Sequence, residues 1–174
     1  VHDNFVKGNS MKQSMYLILS VCFLGVFSAC GGGTEIAQVG QRAPEFDLMA
    51  LDGTEFSSSS LEGQPVILNF WATWCQPCLK EIPEFKEFAS ESNIKLIGIA
   101  LDKDGARSVK PFVEKHQMNY PILLGTEELF QQFNGFGIPH TVILDSDYKV
   151  AKVYRGTITK DDLESDLATV AGNM

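Results

Sequence analysis

Cys75 and Cys78, two cysteines separated by two residues, are the side chains best placed by type and spacing to do chemistry. They sit in the run Trp71-Ala72-Thr73-Trp74-Cys75-Gln76-Pro77-Cys78-Leu79-Lys80-Glu81. The chemistry such a pair does is thiol–disulfide exchange: a thiolate attacks a partner's disulfide, and the second thiol resolves the mixed disulfide. The same spacing also serves half of a zinc site or a structural disulfide. A zinc site needs four ligands and usually a second pair, and the chain has no second CxxC and no CxxH. Redox exchange is therefore the reading.

The pair needs a strand and a helix to hold it. The apolar run Val66-Ile67-Leu68-Asn69-Phe70 reads as a buried strand. Ile82, Phe85, Phe88 and Ala89 recur at helical spacing, which predicts a helix from Cys75 to about Glu91. Cys75 then stands where unpaired backbone N–H groups and the helix dipole favour negative charge, so it is the expected attacking thiol with a lowered pKa. Cys78 lies one turn inside, less exposed, as the resolving thiol. Gln76-Pro77 separates them, and Pro77 costs little so early in a helix. Glu81 follows Cys78 by three residues; it either approaches the resolving thiol or joins Glu84 and Glu87 on a solvated acidic face. Trp71 reads as core, Trp74 as contact surface beside the thiols. His140 either meets the cysteines or a partner, or is an exposed polar residue.

Around this junction the chain reads as β-hairpin, β, α, β, α, β, α, β, β, α. Phe46, Leu48 and Ala50 alternate with Asp47 and Met49 in a strand-like pattern, and Asp52-Gly53 marks a hairpin turn. Leu61-Glu62-Gly63 reads as a helical turn. Ile94–Ala100 and Tyr120–Leu123 read as strands, and Gly105–His116 as a helix. Thr126 caps a helix to Phe133. Thr141–Leu144 and Lys149–Tyr154 form a hairpin, and Thr159-Lys160-Asp161-Asp162 opens the last helix. Strands alternating with helices imply an α/β fold whose central sheet is covered on both faces, made mixed by the terminal hairpin.

Length and charge bound the rest. The 174 residues suit one domain with a full core and a short appendage. The net charge of −8, with no basic cluster, argues against nucleic acid as a partner. The N-terminal stretch reads as a targeting segment. Met11 reads as the true start, followed by Lys12 and an apolar run, Met15–Phe27, too short for a membrane span of about 20 residues. Phe27-Ser28-Ala29-Cys30 resembles a bacterial lipobox, with Phe where Leu is commonest. The expectation is a signal peptide over 1–29, a lipidated Cys30 and linker over 30–42, and a domain over 43–174. A plain signal peptide or an uncleaved anchor are the other readings. Cys22 leaves with the signal, so Cys75 and Cys78 remain as the free pair.

Asn69-Phe70-Trp71-Ala72-Thr73-Trp74-Cys75-Gln76-Pro77-Cys78, with Glu81, Pro83 and the downstream Gly137-Ile138-Pro139 before a strand, resembles the thioredoxin superfamily. It is most similar to the membrane-tethered, extracytoplasmic TlpA/ResA type, over roughly residues 40–172, including an extra segment between Leu101 and Leu124. The resemblance implies a thioredoxin fold with an N-terminal β-hairpin and a central βα insertion. It implies a cis Pro139 packed against the CxxC, against the alternative of an ordinary trans proline, and a backbone edge at Ile138 that pairs with a bound chain. It also implies that an acid at Glu81 influences the thiols. No cofactor is expected beyond the Cys75–Cys78 disulfide, and no metal. The implied partners are disulfide-containing exported proteins such as apocytochrome c, a membrane thiol reductase as electron donor, and the membrane through the lipid. The implied location is the bacterial envelope outside the cytoplasm.

Two other functions fit the residues less well. A peroxiredoxin-like peroxidase wants Thr three residues before its cysteine and Pro three further upstream; Ala72 and Asn69 stand there. A copper-binding assembly module of the Sco type uses CxxxC and a distant His; here the spacing is CxxC and His140 is the one plausible third ligand.

Overall fold

The computed structural model describes residues 36–172, so the signal-peptide and Cys30 expectations lie outside the described residues. The sheet grows outward from β3, Val66–Trp71, which is buried along its whole length. Parallel β4 (Lys95–Ala100) flanks it on one side and antiparallel β6 (His140–Leu144) on the other. Beyond β4 lies parallel β5 (Ile122–Leu124), then the hairpin of β1 (Asp47–Ala50) and β2 (Glu55–Ser57). β7 (Val150–Arg155) closes the far edge, giving seven strands in the order β2-β1-β5-β4-β3-β6-β7.

Alternation along the strands builds two cores. Ile67 and Trp71 of β3, Leu96 of β4 and Ile143 of β6 face one side. They meet Phe85 and Phe88 of α1 (Gln76–Glu91), Val109 and Phe112 of α2 (Ala106–His116), and Leu163 and Leu167 of α4 (Lys160–Gly172). Leu68, Phe70, Ile97, Ile99, Val142 and Leu144 face the other side and pack with Leu129, Phe130 and Phe133 in and after α3 (Glu127–Gln132). Each such buried side chain contributes about 1.5–3 kcal/mol by leaving water. Both cysteines belong to the first core.

The helix starts follow their capping residues. Thr126 Oγ1 accepts the Leu129 N–H at 3.1 Å. Thr159 and Asp162 cap reciprocally: the Thr159 N–H donates to Asp162 Oδ2 at 3.1 Å, and the Asp162 N–H to Thr159 Oγ1 at 3.2 Å. Gly98, inside β4, leaves room for the Trp71 and Tyr120 rings; a Cβ there would lie 3.0 Å from Trp71 Nε1 and 3.2 Å from Tyr120 Cε2.

Three local expectations differ from the fold. The helical turn falls at Ser58–Leu61, as 3-10 helix, instead of Leu61-Glu62-Gly63. Ser58 Oγ takes the Phe46 N–H at 2.8 Å and draws the turn forward, and Gly63, at φ +91°, leaves helical space. β5 starts at Ile122 rather than Tyr120, since Pro121 has no N–H to give and offers only its carbonyl, to Gly98 N–H at 2.9 Å. The expected linker is docked where it is described. Ala37 and Ala43 are buried, the Gly40 N–H donates to Val150 O at 2.8 Å, and the Ala43 N–H to Tyr148 O at 2.9 Å.

Candidate active site

β3 ends at Trp71, and the chain turns into α1 within four residues. The Cys75 N–H donates to Ala72 O at 3.1 Å, closing that turn. Cys75 is the N-cap of α1, in extended conformation, and its sulfur accepts the Cys78 N–H at 3.2 Å. Pro77 falls in the first helical turn as expected, and Pro83 lies inside the helix without ending it. Cys75 and Cys78 are joined by a disulfide. The expected order of exposure holds by a narrow margin, 4% for Cys75 against 2% for Cys78.

A carboxylate holds the turn from the side. Asp102, just past the end of β4, accepts the Thr73 N–H on Oδ2 at 3.0 Å and the Thr73 hydroxyl on Oδ1. Sequence reasoning missed Asp102. Its position was a usable signal, because ligand and active sites of open α/β sheets gather at the carboxyl ends of parallel strands.

Glu81 is buried at 1% exposure, so it leaves the solvated face expected for one of its two readings. Its Oε1 accepts the Ile158 backbone N–H at 2.8 Å, and Oε2 has no hydrogen-bond partner among the described residues. Burial pushes its pKa up to about 8, with the Ile158 N–H and the Asn69 amide pulling the other way. Asn69 itself donates to Thr141 Oγ1 at 3.0 Å. A protonatable group thus stands one helical turn beyond Cys78.

The Gly137-Ile138-Pro139 loop comes to the same end of the sheet. The Ile138–Pro139 peptide bond is cis. Ile138 packs against the core that holds both cysteines, and Pro139 O accepts the Gly156 N–H at 2.9 Å. Trp74 is 66% exposed, as a contact residue should be, and Trp71 is buried.

His140 departs from both of its expected positions. It pairs across from Phe70 in the β3–β6 ladder, so the two side chains share a face. That face belongs to the core without the cysteines. The ring is fully buried between Phe70 and Phe130, with Nε2 3.0 Å from Phe133 O. Burial lowers its pKa. Its side chain therefore neither touches a docked partner nor completes a copper site with the thiols. Among the described residues no group of three His, Cys, Asp or Glu side chains is arranged to hold a metal ion.

A mixed sheet with a Cys–Cys pair capping the helix after its central strand, and a cis-proline loop at the same end, defines a thioredoxin-fold thiol–disulfide oxidoreductase. The chain belongs to the AhpC/TSA family, which it matches over residues 39–153. It is 31% identical over 151 residues to the thiol-disulfide oxidoreductase ResA of Bacillus subtilis (strain 168), covering 83% of each chain. It is also 33% identical to a thioredoxin-family thiol:disulfide interchange protein of Chlorobium tepidum TLS, with a TM-score of 0.65 over 75% of this chain and 95% of that one. A secreted Mycobacterium tuberculosis disulfide oxidoreductase homologous to E. coli DsbE matches at 26% identity and a TM-score of 0.63, over 71% of this chain and 95% of that one. The protein is an enzyme of thiol–disulfide exchange, built on the ResA and DsbE pattern.

Proposed function

We propose that the protein reduces disulfides of exported proteins outside the cytoplasm, with Cys75 as the attacking thiol and Cys78 as the resolving one. The carrying observation is the placement of Cys75 Sγ at the N-cap, where it accepts the Cys78 N–H. In the reduced enzyme that N–H and the helix dipole favour a thiolate at Cys75. The thiolate bonds to one sulfur of the substrate disulfide, and the other sulfur leaves and takes a proton. Cys78 then attacks Cys75 Sγ, the substrate's second sulfur leaves as a thiol, and the Cys75–Cys78 disulfide forms. Two electrons pass to the substrate, and an external thiol donor restores the enzyme.

The direction of flow rests on what surrounds the thiols. Gln76 and Pro77 carry no charge, and His140 faces the other core. None of these three adds a cation to the helix N-terminus in stabilising the Cys75 thiolate. A reduced form so modestly stabilised belongs nearer the reductant end of the scale, about −270 mV, than the oxidant end, about −120 mV.

The disulfide of apocytochrome c as substrate, a membrane thiol reductase as donor, and an envelope location through a lipid on Cys30 complete the reading. They are supported by the ResA relationship, by the secreted relative and by the lipobox-like run at 27–30. No helix among the described residues is long and apolar enough to cross a membrane. Docking is assigned to Trp74 and to the Ile138-Pro139 edge; His140 is fully buried between β3 and β7 and takes no part.

The test is the pair of single-cysteine variants together with the potential. Cys75→Ala abolishes disulfide reduction, and Cys78→Ala accumulates a mixed disulfide through Cys75. A Cys75→Ala protein that stays active reverses the roles, and a potential close to −120 mV, the oxidant end at about that value, reverses the direction.

A further inference from the structure

Beside the disulfide opens a groove of about 1060 Å³. Part of its wall is Thr73 and Trp74, the two residues before Cys75, and part is Phe136, Gly137 and Ile138, the three before Pro139. The rest comes from the β4–α2 loop, the first turn of α2 and α3, and its charged lining residues are Asp102, Asp104 and Glu127 with Lys103, while Arg107 and Arg155 border it through Asp104 and Phe136. Trp74 and Phe136, 66% and 78% exposed, are two of the five large apolar side chains left exposed among the described residues, and both line this groove. The Arg155 guanidinium lies 4.9 Å from the Phe136 ring centroid and supports that ring.

We propose that this groove binds the stretch of polypeptide flanking the target cysteine, with an apolar side chain against Trp74 and Phe136 and a lysine or arginine side chain against Asp104 and Glu127. This rests on the reductase reading above. The occupant follows from the chemistry. When Cys75 Sγ bonds to the target sulfur and the other sulfur leaves, the substrate is fixed next to Trp74. At about 3.3 Å per extended residue, the nearest few residues on one side of the target cysteine must run along the lining. The charge of that lining selects among them. Asp102 is occupied by Thr73. Among the described residues, Asp104 is held only by an exposed pair with Arg107 at 3.0 Å, and the Glu127 carboxylate only by Gln131 Nε2 at 3.2 Å. Such surface contacts are weak and are readily exchanged for an incoming cation.

The test uses the reduced full chain and two disulfide-linked peptides that differ only in carrying Lys or Glu beside the target cysteine. The readout is the ratio of their second-order exchange rates at low salt. The Lys peptide reacts faster by about fivefold or more, and the ratio shrinks at high salt. Asp104→Asn with Glu127→Gln brings the ratio close to one, and Asp104→Asn with Glu127→Lys inverts it. The inversion needs a folded, reactive protein, so loss of structure does not imitate it. Phe136→Ala slows both peptides. Equal rates in the wild type, a ratio that survives neutralisation, or full peptide rates in Phe136→Ala overturn the proposal. Hydroxyethyl disulfide, small and neutral, separates the two levels. A wild type that reduces it without discriminating the peptides loses the groove alone; a wild type inert to it loses the reductase reading and the groove with it.

Discussion

Glu81 accepts the Ile158 backbone N–H at 2.8 Å while its second carboxylate oxygen, in the core one helical turn beyond Cys78, has no hydrogen-bond partner among the described residues. The contact ties α1 to the segment between β7 and α4. It leaves a carboxyl that burial keeps protonated up to about pH 8. Such a group can take or supply a proton at working pH as the resolving thiol changes state.

Glu81 makes stability depend on pH. The folded carboxyl holds its proton up to about pH 8, while the unfolded one ionises near its ordinary value of 4.5. Its protonated form is shared by both states at low pH. Stability then falls as pH rises through the window between those values, and levels off above it. Glu81→Gln flattens this fall, by roughly 3–5 kcal/mol across the full window. Urea unfolding at several pH values above about 6.5 isolates the effect from histidine. A wild-type curve parallel to that of the variant would contradict it. The same variant also shifts the pH profile of the exchange rate.

His140 works in the opposite sense. Burial holds the ring neutral in the fold and lowers its pKa below 6.5. The unfolded ring takes a proton first, so its contribution is complete above about pH 6.5 and is lost as pH falls towards the depressed value. His140→Leu removes that acid-side loss relative to wild type. The comparison is thermal unfolding at pH values just above and below the ordinary histidine range.

Asp102 should matter to both stability and rate. Asp102→Ala strands the Thr73 N–H and hydroxyl, at a cost of about 1–3 kcal/mol, and frees the turn that delivers Cys75. We expect a fall in exchange rate of about tenfold or more. Asp102→Asn keeps one acceptor oxygen and loses less. Denaturation midpoints and exchange rates measured on the same samples check both effects.

Gly98→Ala tests the packing that seats Trp71. The new Cβ meets Ile122 Cδ1 at 2.7 Å, and the Trp71 and Tyr120 rings at 3.0 and 3.2 Å. All three side chains are buried, so none moves aside freely. Destabilisation of about 1–3 kcal/mol is expected, with a change in tryptophan fluorescence as the ring shifts.

The active pair and its frame were legible because their signals are local. The Val66–Phe70 run, the CxxC after it and the helical spacing of Ile82, Phe85 and Phe88 each name their element without reference to the rest of the chain. Glu81 and His140 were harder for opposite reasons. Glu81 stands one residue before the helix's apolar stripe resumes, and its partner Ile158 approaches from 77 residues away, which the local sequence does not signal. His140 begins a strand buried on both faces, so no polar alternation marks which way it turns. Its shared parity with Val142 and Leu144 was the available clue. Phe136 reaches the site only through the fold, and Asp102 is marked in the sequence only by its place just past a parallel strand.

The lead-in segment fixes where the chain arrives. Gly40 and Ala43 are stitched to Val150 and Tyr148, at the turn that follows Leu144, and Leu144 pairs with Val66, the first residue of β3. The disulfide follows the last residue of β3. Arrival and chemistry therefore occupy opposite poles, separated by six residues of strand, about 20 Å. Under the proposed lipid tether at the leading residues, the disulfide would face away from the membrane surface. A donor embedded in that surface would then reach it only when the domain tips over, and the slack of the tether would set how often the enzyme is recharged.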